Sequence, residues 1–257
     1  MVGREIFSLV DKVALVVGGT GGMGKAIALG FAQFGADVIV AGRDMKRGRE
    51  IAQRIQELGR RSLALKVDVT RPDEVNKRVE ETLSTFDRID ILVNCAGINR
   101  RIEAEKLDES DWDAVVDVNL KGTFLVSQAV GRAMIAQGGG KIINISSIRG
   151  EIGMDAGYTA YCASKAGVNM FTKQLANEWG KYNINVNAIA PGWTRTALIA
   201  PLLADEDFQQ KLLERTPLRK VASPDDMVGA AIFLASSASD FVTGHVLTVD
   251  GGLVGRQ

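Results

Sequence analysis

The sequence predicts an α/β fold: one doubly wound parallel sheet with helices on both faces. Three observations carry that prediction. Short runs rich in Val, Ile and Leu alternate with longer amphipathic segments along the whole chain, and such alternation implies parallel strands joined by right-handed crossovers. A glycine cluster stands between the first strand and the first helix. No linker, repeat or low-complexity stretch divides the 257 residues, so a single domain spanning 1–257 is expected.

Lys12–Gly18 (KVALVVG) reads as a strand buried on both faces, as parallel sheets require, and Gly22–Phe34 follows as a helix. Asp37–Ala41 is the second strand, before a charged helix over Met45–Leu58. Ser62–Val67 is the third strand, Pro72–Phe86 the next helix and Ile89–Asn94 the fourth strand. A long helix is expected from Asp111 to Gln137, then a fifth strand over Lys141–Ser146. Phe171, Leu175 and Trp179 recur at helical spacing and mark a helix over Thr159–Lys181. Ile184–Ile189 and His245–Val249 are further strands. Between them Ser223, Pro224 and Asp226 read as a helix start, with a capping Ser, a first-turn Pro and an acid at the third helical position. In open sheets of this kind ligands bind outside the carboxyl ends of the strands, so the loops after the strands are where the site is sought.

Hydrophobic residues make up 46% of the chain, enough for a substantial core. The 31 basic and 31 acidic side chains cancel, which excludes a protein that coats nucleic acid or an anionic membrane by bulk charge. Cys95, Cys162 and His245 form no metal-ligand pattern, so no metal is expected. No run approaches ~18 apolar residues, and the mixed charges at the start do not read as a signal peptide; a soluble, cytoplasmic protein is expected. The 28 glycines exceed the usual share of about 7% and point to tight turns and to places where backbone meets a ligand.

The glycine turn reads Val17-Gly18-Gly19-Thr20-Gly21-Gly22-Met23-Gly24. Side chains there would keep a pyrophosphate from the backbone N–H groups and the helix N-terminus; glycines do not. The spacing Gly18-x-x-x-Gly22-x-Gly24 departs from G-x-G-x-x-G, but strand before and helix after give the context of a dinucleotide site. An acid for the ribose 2′-hydroxyl is expected about 20 residues on. That count lands on Gly42, and Arg43 follows. A guanidinium there pairs with a 2′-phosphate, which favours NADP(H) and keeps NAD(H) as the alternative. Asp44 offsets the charge, and Arg43 also reads as a solvated loop residue. Asp68, at the end of the third strand, reads either as an adenine ligand or as a simple helix-entry Asp.

Tyr161 and Lys165 lie near the start of a helix at i and i+4, on one face. A free phenol, with a pKa of about 10, is a poor base at neutral pH. A nearby ammonium lowers that value by favouring phenolate and brings it into range for proton transfer. Tyr158 and Tyr182 lack such a lysine.

Along the chain stand Gly18-x-x-x-Gly22-x-Gly24, Asn94-Cys95-Ala96-Gly97, Asn119 in Val118-Asn119-Leu120, Ser146-Ser147, Tyr161-x-x-x-Lys165, Pro191-Gly192 with Thr196, and Val249-Asp250-Gly251-Gly252. In this order they resemble the short-chain dehydrogenase/reductase family, with its Rossmann-type fold, nearly end to end. The resemblance implies that Tyr161 exchanges a proton with the substrate oxygen. Lys165 would lower the Tyr161 pKa and bind the nicotinamide ribose, Ser147 would hydrogen-bond the reacting carbonyl or alcohol, and Asn119 would hold a water linking Lys165 to solvent. Asn94 and Gly97 would line the adenosine side, and Thr196 would contact the phosphates or the carboxamide. Thr20, Met23, Val69, Ala96, Pro191, Gly192 and Thr194 complete the expected cofactor set, with Gly18, Gly22, Gly24, Arg43 and Asp68. Three departures stand out: Val17 replaces the usual Thr that braces the Asn94 turn, Cys95 replaces the commoner Asn or Ala, and one extra residue before Tyr161 leaves Ser146 competing with Ser147.

The loops after strands four, five and six carry Arg100 and Arg101, Arg149, and Arg195. An arginine fork grips a carboxylate with two hydrogen bonds. Arg100, Arg149 and Arg195, with Trp193, are therefore the expected contacts of an anionic small-molecule substrate, although each arginine alone also reads as a solvated loop charge. The segments 96–101, 178–180 and 191–196 look like sugar-acid dehydrogenases of the gluconate 5-dehydrogenase kind. The expected function is an NAD(P)(H)-dependent oxidoreductase interconverting a secondary alcohol and a ketone on a sugar acid or polyol such as gluconate. A 3-oxoacyl-[acyl-carrier-protein] reductase is the alternative, and a non-catalytic dinucleotide-binding protein the remote one. A lid is expected at about 193–216. The resemblance also implies a homotetramer, with the two long helices and the last strand at its interfaces, and no nucleic-acid or membrane partner.

Overall fold

The computed structural model describes residues 3–154 and 157–256. Seven strands, β1 (Val13–Val17), β2 (Asp37–Gly42), β3 (Ser62–Lys66), β4 (Ile91–Asn94), β5 (Gly140–Ile145), β6 (Ile184–Pro191) and β7 (Val246–Val249), form one sheet in the order β3-β2-β1-β4-β5-β6-β7. Every neighbouring pair is parallel. The helices are α1 (Gly22–Gln33), α2 (Met45–Glu57), α3 (Pro72–Phe86), α4 (Glu109–Val116), α5 (Gly122–Gln137), α6 (Thr159–Trp179), α7 (Ala200–Leu203), α8 (Glu206–Arg215) and α9 (Val228–Ala235).

The core lies on both faces of the sheet, because successive side chains of a strand point to opposite sides. Ala14 and Val16 of β1 pack with Ile27 and Phe31 of α1 and Ile232 of α9. Val13, Leu15 and Val17 pack on the other face with Val79 of α3, Val130 of α5 and Leu175 of α6. All five β1 residues are buried, which is why the strand reads as a continuous apolar run.

Strand ends shift by one or two residues, as β4 beginning at Ile91 shows, and two helices differ more from the pattern in the sequence. The helix expected over 111–137 starts at Glu109 and carries a π-helical turn, Asp117–Lys121, between α4 and α5. The helix expected over 159–181 ends at Trp179 and tightens into a 3₁₀ turn before Asn183 takes a left-handed φ of 61°. The Ser223–Asp226 capping box forms as expected. It opens a 3₁₀ turn, Pro224–Met227, that runs directly into α9. Among the described residues no helix is long and apolar enough to cross a membrane, and no His, Cys, Asp and Glu side chains group as a metal site.

The strand order reverses between β1 and β4: β2 and β3 extend the sheet to one side, and the chain then crosses to the other. Such a switch point opens a crevice at the carboxyl ends of the strands. The glycine turn after β1 and the Cys95–Gly97 turn after β4 meet there, tied by the Cys95 N–H donating to the Val17 carbonyl at 2.8 Å.

Candidate functional site

Two adjoining cavities occupy that crevice. The first, of about 390 Å³, lies under the glycine turn. Gly18 turns the chain with φ of 83°, and a Cβ on it would sit 2.5 Å from the Ala96 nitrogen, so only glycine fits between the two turns. Gly18, Thr20, Gly22, Met23, Arg43, Asp68, Val69, Ala96, Gly97 and Thr196 all line this cleft. Gly24 does not; it lets α1 close on the turn, since a side chain there would overlap the Gly18 carbonyl. Asp68 accepts hydrogen bonds from the Thr70 N–H at 3.0 Å and the Thr70 hydroxyl at 2.8 Å. Those bonds hold its carboxyl below the usual range, and the nearby Arg43 guanidinium adds to the effect.

Asn94 does not reach the cleft. Its side chain is buried, and Nδ2 donates to Ser127 Oγ and Asn144 Oδ1, each at 2.9 Å. Its Oδ1 has no hydrogen-bond partner among the described residues. This is the turn where Val17 pairs in register with Asn94 and offers a methyl group in place of a hydroxyl. Cys95 lines the cleft, and burial pushes its thiol up to about 11.

The second cavity, of about 70 Å³, is lined by Ser147, Arg149, Tyr158, Tyr161, Pro191, Gly192, Trp193 and Thr194, and it shares Met23, Thr196 and Leu198 with the first. Both serines border this cavity, but their hydroxyls differ: Ser146 donates to Asn169 Oδ1 at 2.5 Å, whereas the Ser147 hydroxyl is the hydrogen-bond partner of the Tyr161 phenol.

Tyr161 and Lys165 share a face of α6, with Nζ 5.7 Å from the ring centroid. Lys165 is buried, and Nζ donates to the Ile145 carbonyl at 2.8 Å. The expected lowering of the tyrosine pKa is not what this geometry gives. Burial disfavours the charged form of each group: the phenol is pushed up to about 12, against the pull of the Ser147 hydrogen bond, and the ammonium down to about 8.

Asn119 is fully buried in the π-helical turn. Its Oδ1 accepts from the Ile98 N–H at 2.8 Å while its Nδ2 donates to the Ile98 carbonyl at 2.9 Å, and Nδ2 also donates to Ser164 Oγ at 3.0 Å. The residue thus clamps the loop after β4 against α6. Its own carbonyl accepts from the Thr123 hydroxyl at 2.7 Å.

The expected substrate arginines separate. Arg149 lines the second cavity, its guanidinium 5.5 Å over the Trp193 ring. Arg100 points away and pairs with Asp111 at 3.5 Å. Arg195 lines a different hollow behind α7, with Lys25 and Arg54. Arg101 does not line the cavity either: its guanidinium lies 5.6 Å over the Tyr158 ring, and it borders a separate hollow with Arg149. Tyr158 and Asn99 line the cavity without having been singled out. The signal for Tyr158 was its place one helical turn before Tyr161; Asn99 gave none.

The comparisons agree with this geometry. A family model described as Enoyl-(Acyl carrier protein) reductase matches residues 18–254. The 2-dehydro-3-deoxy-D-gluconate 5-dehydrogenase of Escherichia coli (strain K12) is 44% identical over 251 residues, 97% of this chain and 98% of that protein. The 5-keto-D-gluconate 5-reductase of the same strain is 40% identical, covering 98% of each. The crystal structure of a gluconate 5-dehydrogenase from Burkholderia cenocepacia J2315, in complex with NADP and tartrate, superimposes with a TM-score of 0.95 at 40% identity, covering 98% of this chain and 99% of that one. With its seven-stranded parallel sheet, the glycine turn at the switch point and the Ser147, Tyr161 and Lys165 cluster beside it, the chain belongs to the short-chain dehydrogenase/reductase family.

Proposed function

We propose that this protein is an NAD(P)(H)-dependent oxidoreductase that interconverts a secondary alcohol and a ketone on a sugar acid. The observation that carries this reading is the meeting of Ser147 and Tyr161 in a cavity that shares Met23 and Thr196 with the glycine-turn cleft. The cleft fits a dinucleotide: Gly18 leaves no room for a Cβ, and Arg43 and Asp68 line the cleft with the glycine turn. Gly18, Gly22 and Thr20 would hold the pyrophosphate, Asp68 and Val69 the adenine side, and Arg43 a 2′-phosphate, which makes NADP(H) the favoured form. When bound, the nicotinamide ring supplies or takes up the hydride. Tyr161, protonated at neutral pH, donates its proton to the substrate oxygen in the reductive direction, with Ser147 orienting that oxygen. Lys165 and Asn119 hold α6 and the loop after β4 around them.

The sugar-acid class rests on the relatives, whose names specify gluconate derivatives, and on the neighbour that holds tartrate, a dicarboxylate. The same relatives disfavour the carrier-protein reading. The segment 193–216 acts as the lid, with Leu198 and Ile199 over the cavity. The protein works as one domain in the cytoplasm and assembles as a homotetramer through its long helices, where Phe124 and Met170 are exposed.

The test is a panel of sugar acids and polyols with NADP and NAD, with an acetoacetyl thioester as control, followed by nicotinamide absorbance. Activity on sugar acids supports the reading, and activity on the thioester alone overturns it. Tyr161→Phe should lower turnover by about 10²–10⁴-fold while cofactor affinity stays within about twofold. Retained turnover would sink the proton-transfer role.

A further inference from the structure

A third space adjoins the second cavity. It is a hollow of about 310 Å³ bounded by α8, by the 149–154 loop and by Arg101. α8 is fixed at its start by Asp205, whose carboxylate accepts from the Phe208 N–H at 3.1 Å. Along its length, Leu212 is buried and Phe208 packs edge-on against Trp193 at 5.2 Å. That docking turns Lys211 and Arg215, one helical turn apart, into the hollow. Arg101 and Arg149 face them, and both are steadied by rings: Arg101 by Tyr158, which itself packs edge-on against Tyr161 at 6.0 Å, and Arg149 by Trp193.

Among the described residues no carboxylate lines the hollow, and none lies within ion-pairing reach of Arg101, Lys211 or Arg215. Nearby cations are treated otherwise: Arg100 pairs with Asp111, and Lys220 with Asp226. Like charges one turn apart on a helix repel, and an anion seated between them turns that repulsion into attraction. Arg149 and Trp193 belong to the walls of both this hollow and the narrower Ser147–Tyr161 cavity, so the two spaces adjoin.

We propose that the hollow is the subsite for the anionic end of the substrate. The carboxylate sits among Arg101, Lys211 and Arg215, and the reacting carbon, remote from it, lies at Ser147 and Tyr161. This rests on the oxidoreductase reading and names the residues that give it an acidic substrate.

D-gluconate and D-glucitol test it, because they share a carbon skeleton and differ in the carboxylate. Binding of each to the NADP-loaded protein is measured by calorimetry, for the wild type, Lys211→Glu/Arg215→Glu and Lys211→Met/Arg215→Met. Both sites are exposed, and thermal melts verify the fold; the methionine pair serves if the glutamates disturb it. The wild type should bind gluconate about tenfold more tightly than glucitol, with affinity falling as salt rises. Either folded variant should lose that preference and leave glucitol binding unchanged. Gluconate bound equally by wild type and folded variants, or not bound by the wild type at all, overturns the subsite. The two readings fail separately. A wild type that binds gluconate through these residues but turns over no sugar acid keeps the subsite and loses the oxidoreductase. Turnover with an unaltered KM in the variants does the reverse.

Discussion

The cleft under the glycine turn takes its shape from backbone turns tied to the sheet, whereas the hollow beside α8 takes its character from long side chains on a short helix and two loops. In the first, a missing Cβ at Gly18 sets the shape, and the atoms around it belong to neighbouring strands and their turns. In the second, Lys211, Arg215 and Arg101 project from exposed positions, the first two held by the docking of α8 on Trp193 and the third by the Tyr158 ring. The first is rigid and tolerates no change in shape. The second tolerates changes in shape and depends on charge. A change in each region should therefore fail differently.

The largest effect is expected in the first region. Gly18→Ala forces a side chain into a left-handed φ and against the Ala96 nitrogen at 2.5 Å. The cost is about 1–3 kcal/mol of stability, read by denaturant melts, with dinucleotide binding weakened more than tenfold by calorimetry. A variant with wild-type stability and affinity would break the contrast.

A second effect is set by pH. Lys165 titrates near 8 in the fold and near 10.5 when unfolded, so between those values the unfolded chain binds more protons and stability rises with pH. Tyr161 acts in the opposite sense, with a folded pKa of about 12 above its ordinary 10.0, so it lowers stability only above pH 10. From pH 8 to 10 the wild type should gain up to roughly 2–3 kcal/mol relative to Lys165→Met. Parallel stability curves for the two proteins across that range would show that Lys165 is not held as described.

The smallest effect separates two exposed arginines. Arg43→Ala should reduce the preference for NADP over NAD by about tenfold, the value of one charge-assisted hydrogen bond. Arg100→Ala, which breaks only a surface pair with Asp111, should shift stability by less than about 0.5 kcal/mol and leave sugar-acid KM unchanged. Equal effects on KM for Arg100 and Arg101 would undo the separation of the loop into outward and inward faces.

The same division explains what could be read from the sequence. The strands and the glycine turn were legible because buried parallel strands are continuous apolar runs and positions such as Gly18 and Gly24 leave no room for a side chain. Ser147, Tyr161 and Lys165 were legible by spacing and order. Asn94 was misplaced because its neighbours line the cleft while its own side chain, one position earlier in the strand, is drawn into the core by Ser127 and Asn144. Arg100 and Arg195 were misplaced because proximity in sequence to a pocket loop does not fix which way a long side chain turns. The π-helical turn at Asn119 left no signal, since one extra residue in a helix barely disturbs an apolar pattern read over a long window.

The pairing of β1 with β4 has a consequence for how the molecule comes together. Those two strands are separated in the chain by β2, β3 and three helices, and their contact is among the most non-local in the sheet. Closing so long a stretch carries an entropy cost that makes such pairings slow. The crevice does not exist until that closure is made, so a ligand recognising it cannot help the chain toward it. It can only hold the finished protein together, lengthening its lifetime while leaving the speed of its formation as it was.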